Sequence, residues 1–149
     1  MVLSQAESAL PDDGTNSPDA LADEVEALLE ANPISNQFEI AAMNIEYDFG
    51  LKAEDVASYK GVKSNDNGDA GLVLVIEPAE GKAEEIVEAL KAYQQDQVAF
   101  YGNYAEFAAA QANVENAVIA NSADRVVMVI ASNACTEDLT DAVNGVLLK

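Results

Sequence analysis

A chain of 149 residues, half of them hydrophobic, has the length of one domain and enough apolar surface to bury a core, which excludes disorder throughout. Lys and Arg number 7 against 27 Asp and Glu, a formal net charge of −20. Nucleic acid and direct insertion into a membrane are excluded as partners. Binding to DNA, RNA or an anionic bilayer rests on Lys and Arg displacing counterions, and no run of about 18 apolar residues occurs.

The chain opens with residues 1–16, a mixture of Ser, Gln, Asp, Gly and Pro without period, expected as a flexible acidic tail or tether ahead of a single domain at 17–149. Ser17 offers an N-cap and Pro18 the first helical position. Leu21, Val25, Leu28 and Leu29 then recur at helical spacing, predicting a helix to about Ala31 that Asn32-Pro33 stops. Tail and first helix carry eight acids (Glu7, Asp12, Asp13, Asp19, Asp23, Glu24, Glu26, Glu30), and no Lys or Arg precedes Lys52.

Residues 34–51 fit no single period and are read with little regular structure, compatible with a short helix followed by extended chain. Residues 56–63 alternate, residues 71–77 (GLVLVIE) form a buried apolar run, and SNDNGD at 64–69 between them is turn chemistry, so a β-hairpin is predicted. A long helix follows over about 79–103, carried by Ala83, Ile86, Val87, Leu90, Tyr93 and Val98, and then a short Ala-rich helix over 104–112. Residues 114–120 and 125–131 read as a second hairpin, and Thr136 as the cap of a last helix burying Leu139, Val143, Val146 and Leu147. The order α-β-β-α-β-β-α predicts an α+β two-layer sandwich, an antiparallel sheet from two hairpins with helices packed on one face.

Chemistry-bearing patterns are few. Without a histidine the chain lacks the usual general base and the commonest transition-metal ligand. No Gly-rich phosphate-binding motif is present, so no catalytic residue and no cofactor is assigned. Cys135, the only cysteine, precedes the predicted last helix, where a helix dipole activates a thiol; without a histidine partner it reads first as a small structural residue. Asp66, Asn67 and Asp69, and Asp12 with Asp13, are oxygen donors for Ca²⁺, but Gly68 is out of register with a calcium-binding loop. A plain turn is the competing reading, and no metal ligand is assigned. The aromatics Phe100, Tyr101 and Tyr104, with Phe107, cluster at the end of the long helix, either as core or as the floor of a ligand site; Phe100, Tyr101 and Tyr104 are the candidates for ligand contact. Tyr47, Phe49 and Tyr59 pose the same choice.

Three stretches carry a resemblance: YDFGLKAEDVASYKG at 47–61, GLVLVIE with EEIVEALKAYQQDQVAFYGNY at 84–104, and the hairpin NAVIANSADRVVMVIAS at 116–132. Over about residues 47–149 the chain resembles the domain of unknown function 4358 family, found in lipoproteins of Gram-positive bacteria, although Ala123-Asp124-Arg125 stands where that family tends to Gly-Asn-Tyr. The resemblance implies an extracytoplasmic domain anchored through a lipidated N-terminal cysteine upstream of Met1, and it carries no functional residues. The leading expectation is a non-catalytic binding or accessory module with a cationic or cell-envelope partner. The alternatives are a carboxylate-only hydrolase of envelope glycans and an acidic intracellular interaction protein.

Overall fold

The computed structural model describes residues 19–122 and 124–147. The expected tail at 1–16 with Asp12 and Asp13, the Ser17-Pro18 helix start and Ala123 lie outside the described residues.

In chain order the elements are α1 (Asp19–Ala31), β1 (Gln37–Glu39), a π-helical turn (Asn44–Asp48), a 3-10 turn (Ala53–Asp55), β2 (Val56–Ser64), β3 (Leu72–Pro78) and α2 (Ala83–Gly102). A second 3-10 turn (Ala105–Phe107), α3 (Ala108–Glu115), β4 (Val118–Asn121), β5 (Val126–Ile130) and α4 (Leu139–Leu147) follow. The strands form one antiparallel sheet in the order β1-β2-β3-β5-β4. Both expected hairpins form, and β3 joins them by pairing with β5 from Leu72↔Ile130 to Ile76↔Val126.

The α+β class, the antiparallel sheet and the packing of helices on it stand as the periodicities predict, and the structure adds helices to the second face. On one face Leu72, Leu74 and Ile76 meet Val126, Met128 and Ile130 beneath Ile86 and Leu90 of α2 and Val114 of α3. On the other, Val73, Val75, Val127 and Val129 pack with Leu21, Val25 and Leu28 of α1 and Val143 and Val146 of α4. The cause lies in the central strands, where β3 is apolar at five consecutive positions and β5 at all five. Helices on one face alone would leave four valines in water, at about 1.5–3 kcal/mol each.

α1 is fastened at its middle and just past its C-terminal end. Glu24 accepts from Arg125 Nε at 2.9 Å, and both side chains are largely buried. Asn32, fully buried, donates through Nδ2 to the Ile130 carbonyl at 2.8 Å and accepts from the Ser132 N–H at 2.8 Å.

Residues 34–51 are more regular than expected and in the opposite order. The extended piece comes first, as β1 on the edge of β2, and the helical piece second, closed by a Phe49 N–H to Asn44 carbonyl bond of 3.0 Å. Ile40, Ile45, Phe49 and Leu51 are buried against the α2 side of the sheet, at spacings that match neither a strand nor an α-helix.

Three boundaries shift. α2 starts at Ala83 because residues 79–82 make a turn, with Gly81 at φ 78° and Lys82 N–H bonded to the Ala79 carbonyl at 3.0 Å. α3 continues to Glu115, where a strand was expected, because Val114 is buried and Gln94 Nε2 donates to its carbonyl at 2.9 Å. The cap of α4 is Asp138 and not Thr136: the Asp138 carboxylate accepts the Thr140 N–H at 2.9 Å. No helix among the described residues is long and apolar enough to cross a membrane.

Candidate functional site

Along α2, Tyr93, Gln97 and Tyr101 fall at i, i+4 and i+8 and form one stripe over the loop end of the β2–β3 hairpin. Beneath them lie Lys63 and Ser64 at the end of β2, Asp69, Ala70 and Gly71 leading into β3, and Ile130 at the end of β5. Together these residues line a half-open cavity of about 70 Å³. That volume holds roughly two water-sized groups, taking ~30 Å³ each.

The loop that floors the cavity is held by its own carboxylate. Asp69 N–H bonds to the Asp66 carbonyl at 3.3 Å, with Gly68 in the left-handed region at φ 82° between them. Asp69 Oδ1 accepts the Gly71 N–H at 2.9 Å and Oδ2 the Asn133 N–H at 3.4 Å, while Asn133 Nδ2 donates to the Gly68 carbonyl at 3.0 Å. Two segments distant in the chain, at 66–71 and 132–133, thus fix where the Asp69 carboxylate sits.

Lys63 reaches the cavity from β2. No carboxylate among the described residues pairs with it, and its ammonium lies 5.3 Å from the centroid of the Phe38 ring. In a chain with 27 acids, a partly buried lysine without an anionic partner is unusual. Burial pushes the Tyr93 phenol well up, reinforced by Tyr101 and then Asp48, and burial followed by Asp69 raises that of Tyr101. Both phenols are therefore protonated donors at neutral pH.

The aromatic group divides. Tyr101 lines the cavity, while Phe100 and Tyr104 are about half exposed. The rings meet edge to face, Phe100–Tyr101 at 5.1 Å, Phe100–Tyr104 at 5.9 Å, Tyr101–Phe107 at 5.7 Å and Tyr104–Phe107 at 5.4 Å. Phe107 also closes on the loop: a Cβ at Gly68 would come within 3.0 Å of its ring. Of the other aromatics, Phe49 and Tyr59 are core, Phe49 against Tyr93 at 4.4 Å, and Tyr47 points to solvent.

Among the described residues no group of three His, Cys, Asp or Glu side chains could hold a metal ion. Asp66 accepts from Asn36 Nδ2 at 2.9 Å, Asn67 is exposed, and Asp69 serves the loop backbone, so the three do not converge. Cys135 stands four residues before α4, and its thiol donates to the Ala31 carbonyl at 3.3 Å, a bond between loop and α1.

Sequence reasoning singled out Tyr101 and Asp69 and missed Lys63, Tyr93 and Gln97. The stripe Tyr93-Gln97-Tyr101 was a readable signal, because a polar residue between two tyrosines on an otherwise apolar helix face needs a polar surrounding. Lys63 gave none, since only the pairing of Lys63 with Leu72 brings it under α2.

The family model described as Domain of unknown function (DUF4358) matches residues 31–131, roughly two thirds of the chain, from the end of α1 through β5. No curated protein and no solved structure matches it.

Proposed function

The chain belongs to the DUF4358 family, and from that premise we propose that it is a non-catalytic binding or accessory domain, displayed outside the cell and tethered to the envelope, that engages its ligand through the cavity under α2 and the aromatic surface beside it. The observation that carries the reading is the cavity itself, where Lys63, Tyr93, Gln97 and Tyr101 converge and none makes a hydrogen bond or ion pair through its polar end with another of the described residues. Convergent polar groups beside exposed aromatics make a recognition surface.

A hydrolase working with carboxylates alone is less well supported. The cavity offers one carboxylate, Asp69, with both oxygens already accepting backbone N–H groups. Glu26 and Glu39 do share a shallow groove, of about 360 Å³, but Lys60 holds Glu39 at 2.7 Å. An acid–base pair needs two carboxyls free to meet a substrate, and Glu39 is already engaged by the Lys60 ammonium.

The test is where the native product resides. Expressed from its own gene, the protein should carry a lipid label and be degraded by protease added to intact cells. Unlabelled, protease-protected protein would overturn the reading in favour of an intracellular interaction protein.

A further inference from the structure

Deepening that reading, and resting on it, we infer that the cavity under α2 takes hydroxyl groups of a neutral saccharide, with Phe100 and Tyr104 as the apolar surface on which the sugar ring lies. The charges argue for a neutral ligand. A chain at −20 repels small anions at range, and the lining offers a small cation no net negative charge, because Lys63 stands in it with the one carboxylate, Asp69. A charged group would also lose part of its hydration in about 70 Å³, against a lining in which the charges of Lys63 and Asp69 offset one another.

The polar inventory fits hydroxyls. Lys63, the two phenols and the Gln97 amide supply donors, and the Gln97 carbonyl, the Ser64 hydroxyl and the lone pairs that the backbone leaves on Asp69 supply acceptors, so a group that both donates and accepts is satisfied where a pure donor or acceptor is not. The raised tyrosines keep their protons and remain donors throughout the neutral range. The volume takes a hydroxymethyl or a pair of ring hydroxyls, and the remaining ring must lie outside. There Phe100 and Tyr104 leave half of their surface open, linked to the lining through Tyr101. Aromatic faces pack against the C–H face of a pyranose by the same apolar contact they make elsewhere.

The isotope-labelled 149-residue chain titrated with glucose, N-acetylglucosamine and maltose to about 50 mM, the range that saturates a millimolar site, is the test, with sodium acetate and ethylammonium chloride as charged probes. At least one saccharide should shift the resonances of Gly71, Gln97 and Tyr101, and Gln97→Ala and Lys63→Met should each weaken that binding roughly 3- to 10-fold, the loss of one hydrogen bond. Gln97 is partly exposed on a helix and alanine suits a helix, so that variant keeps the fold, which an unchanged spectrum away from the site verifies. Saccharides that move nothing, or that move only residues elsewhere, overturn the inference, as does acetate or ethylammonium shifting these residues when no sugar does. If the wild-type chain still co-sediments with envelope material after such a result, the saccharide alone is lost and the wider reading stands; loss of both removes both.

Discussion

Asn32 and Ser132, one hundred residues apart, are joined by a 2.8 Å bond from the Ser132 N–H to the Asn32 side-chain carbonyl, while the Ser132 hydroxyl donates to the Pro33 carbonyl at 2.6 Å. With Asn32 Nδ2 on the Ile130 carbonyl, this pair closes the end of α1 onto the end of β5. The same β5 end carries Ile130 into the cavity lining and continues to Asn133, which holds Asp69.

Removing the Asn32 amide leaves a buried N–H and a buried carbonyl unpaired, at about 1–3 kcal/mol each. Asn32→Ala should lower the unfolding free energy by about 2–4 kcal/mol in a urea titration. Loss below about 0.5 kcal/mol, the scale of a surface change, would mean that the bridge is not holding α1.

The Glu24–Arg125 pair is mostly shielded from water, with side-chain exposures of 10% and 15%. Arg125→Ala strands a carboxylate at the α1–sheet seam and should destabilise by about 2–4 kcal/mol, more than Glu24→Gln, which keeps an acceptor for the guanidinium. Equal, small effects of the two in thermal melts would argue that the pair is solvated.

Gly61 sits in the middle of β2 with no room above it. A Cβ there would lie 2.6 Å from the Val73 carbonyl oxygen and 3.0 Å from Leu74 Cα, both backbone. Gly61→Ala must push β2 from β3 and should cost about 1–3 kcal/mol; a melting temperature equal to wild type would contradict the tight register.

Both cavity phenols are raised in the fold, Tyr101 by burial and Asp69, Tyr93 by burial, Tyr101 and Asp48. A raised pKa means the folded state keeps a proton that the unfolded chain gives up. The associated stability is therefore complete below about pH 10, the phenol's unfolded value, and is lost as pH climbs from there toward the folded values. Denaturation midpoints should fall above pH 10, and less steeply in Tyr93→Phe. An identical alkaline slope in that variant would show that Tyr93 is not the group responsible.

Most of the fold was legible because hairpin β2–β3, α2 and α4 each express one period over a long enough run. The second helical face was legible only in part. GLVLVIE announces a strand buried on both sides, but which helices cover it depends on chain paths that no local period records. Residues 34–51 were illegible for another reason: Ile40, Ile45 and Phe49 reach the core from a short strand and a widened helical turn, and neither repeats often enough to set a period. The site was half visible. Tyr101 and Asp69 stood out locally, while Lys63 acquires its place through its neighbours across the sheet and under α2, and Gln97 through the cavity itself.

Co-sedimentation of the purified chain with isolated cell-envelope material, wild type beside the Lys63→Met/Gln97→Ala double variant, tests the central claim most directly. The account predicts that the wild type is retained and that the double variant's apparent affinity falls by about tenfold or more, the loss of two polar contacts. Equal retention of the two proteins, with both folded, would contradict it.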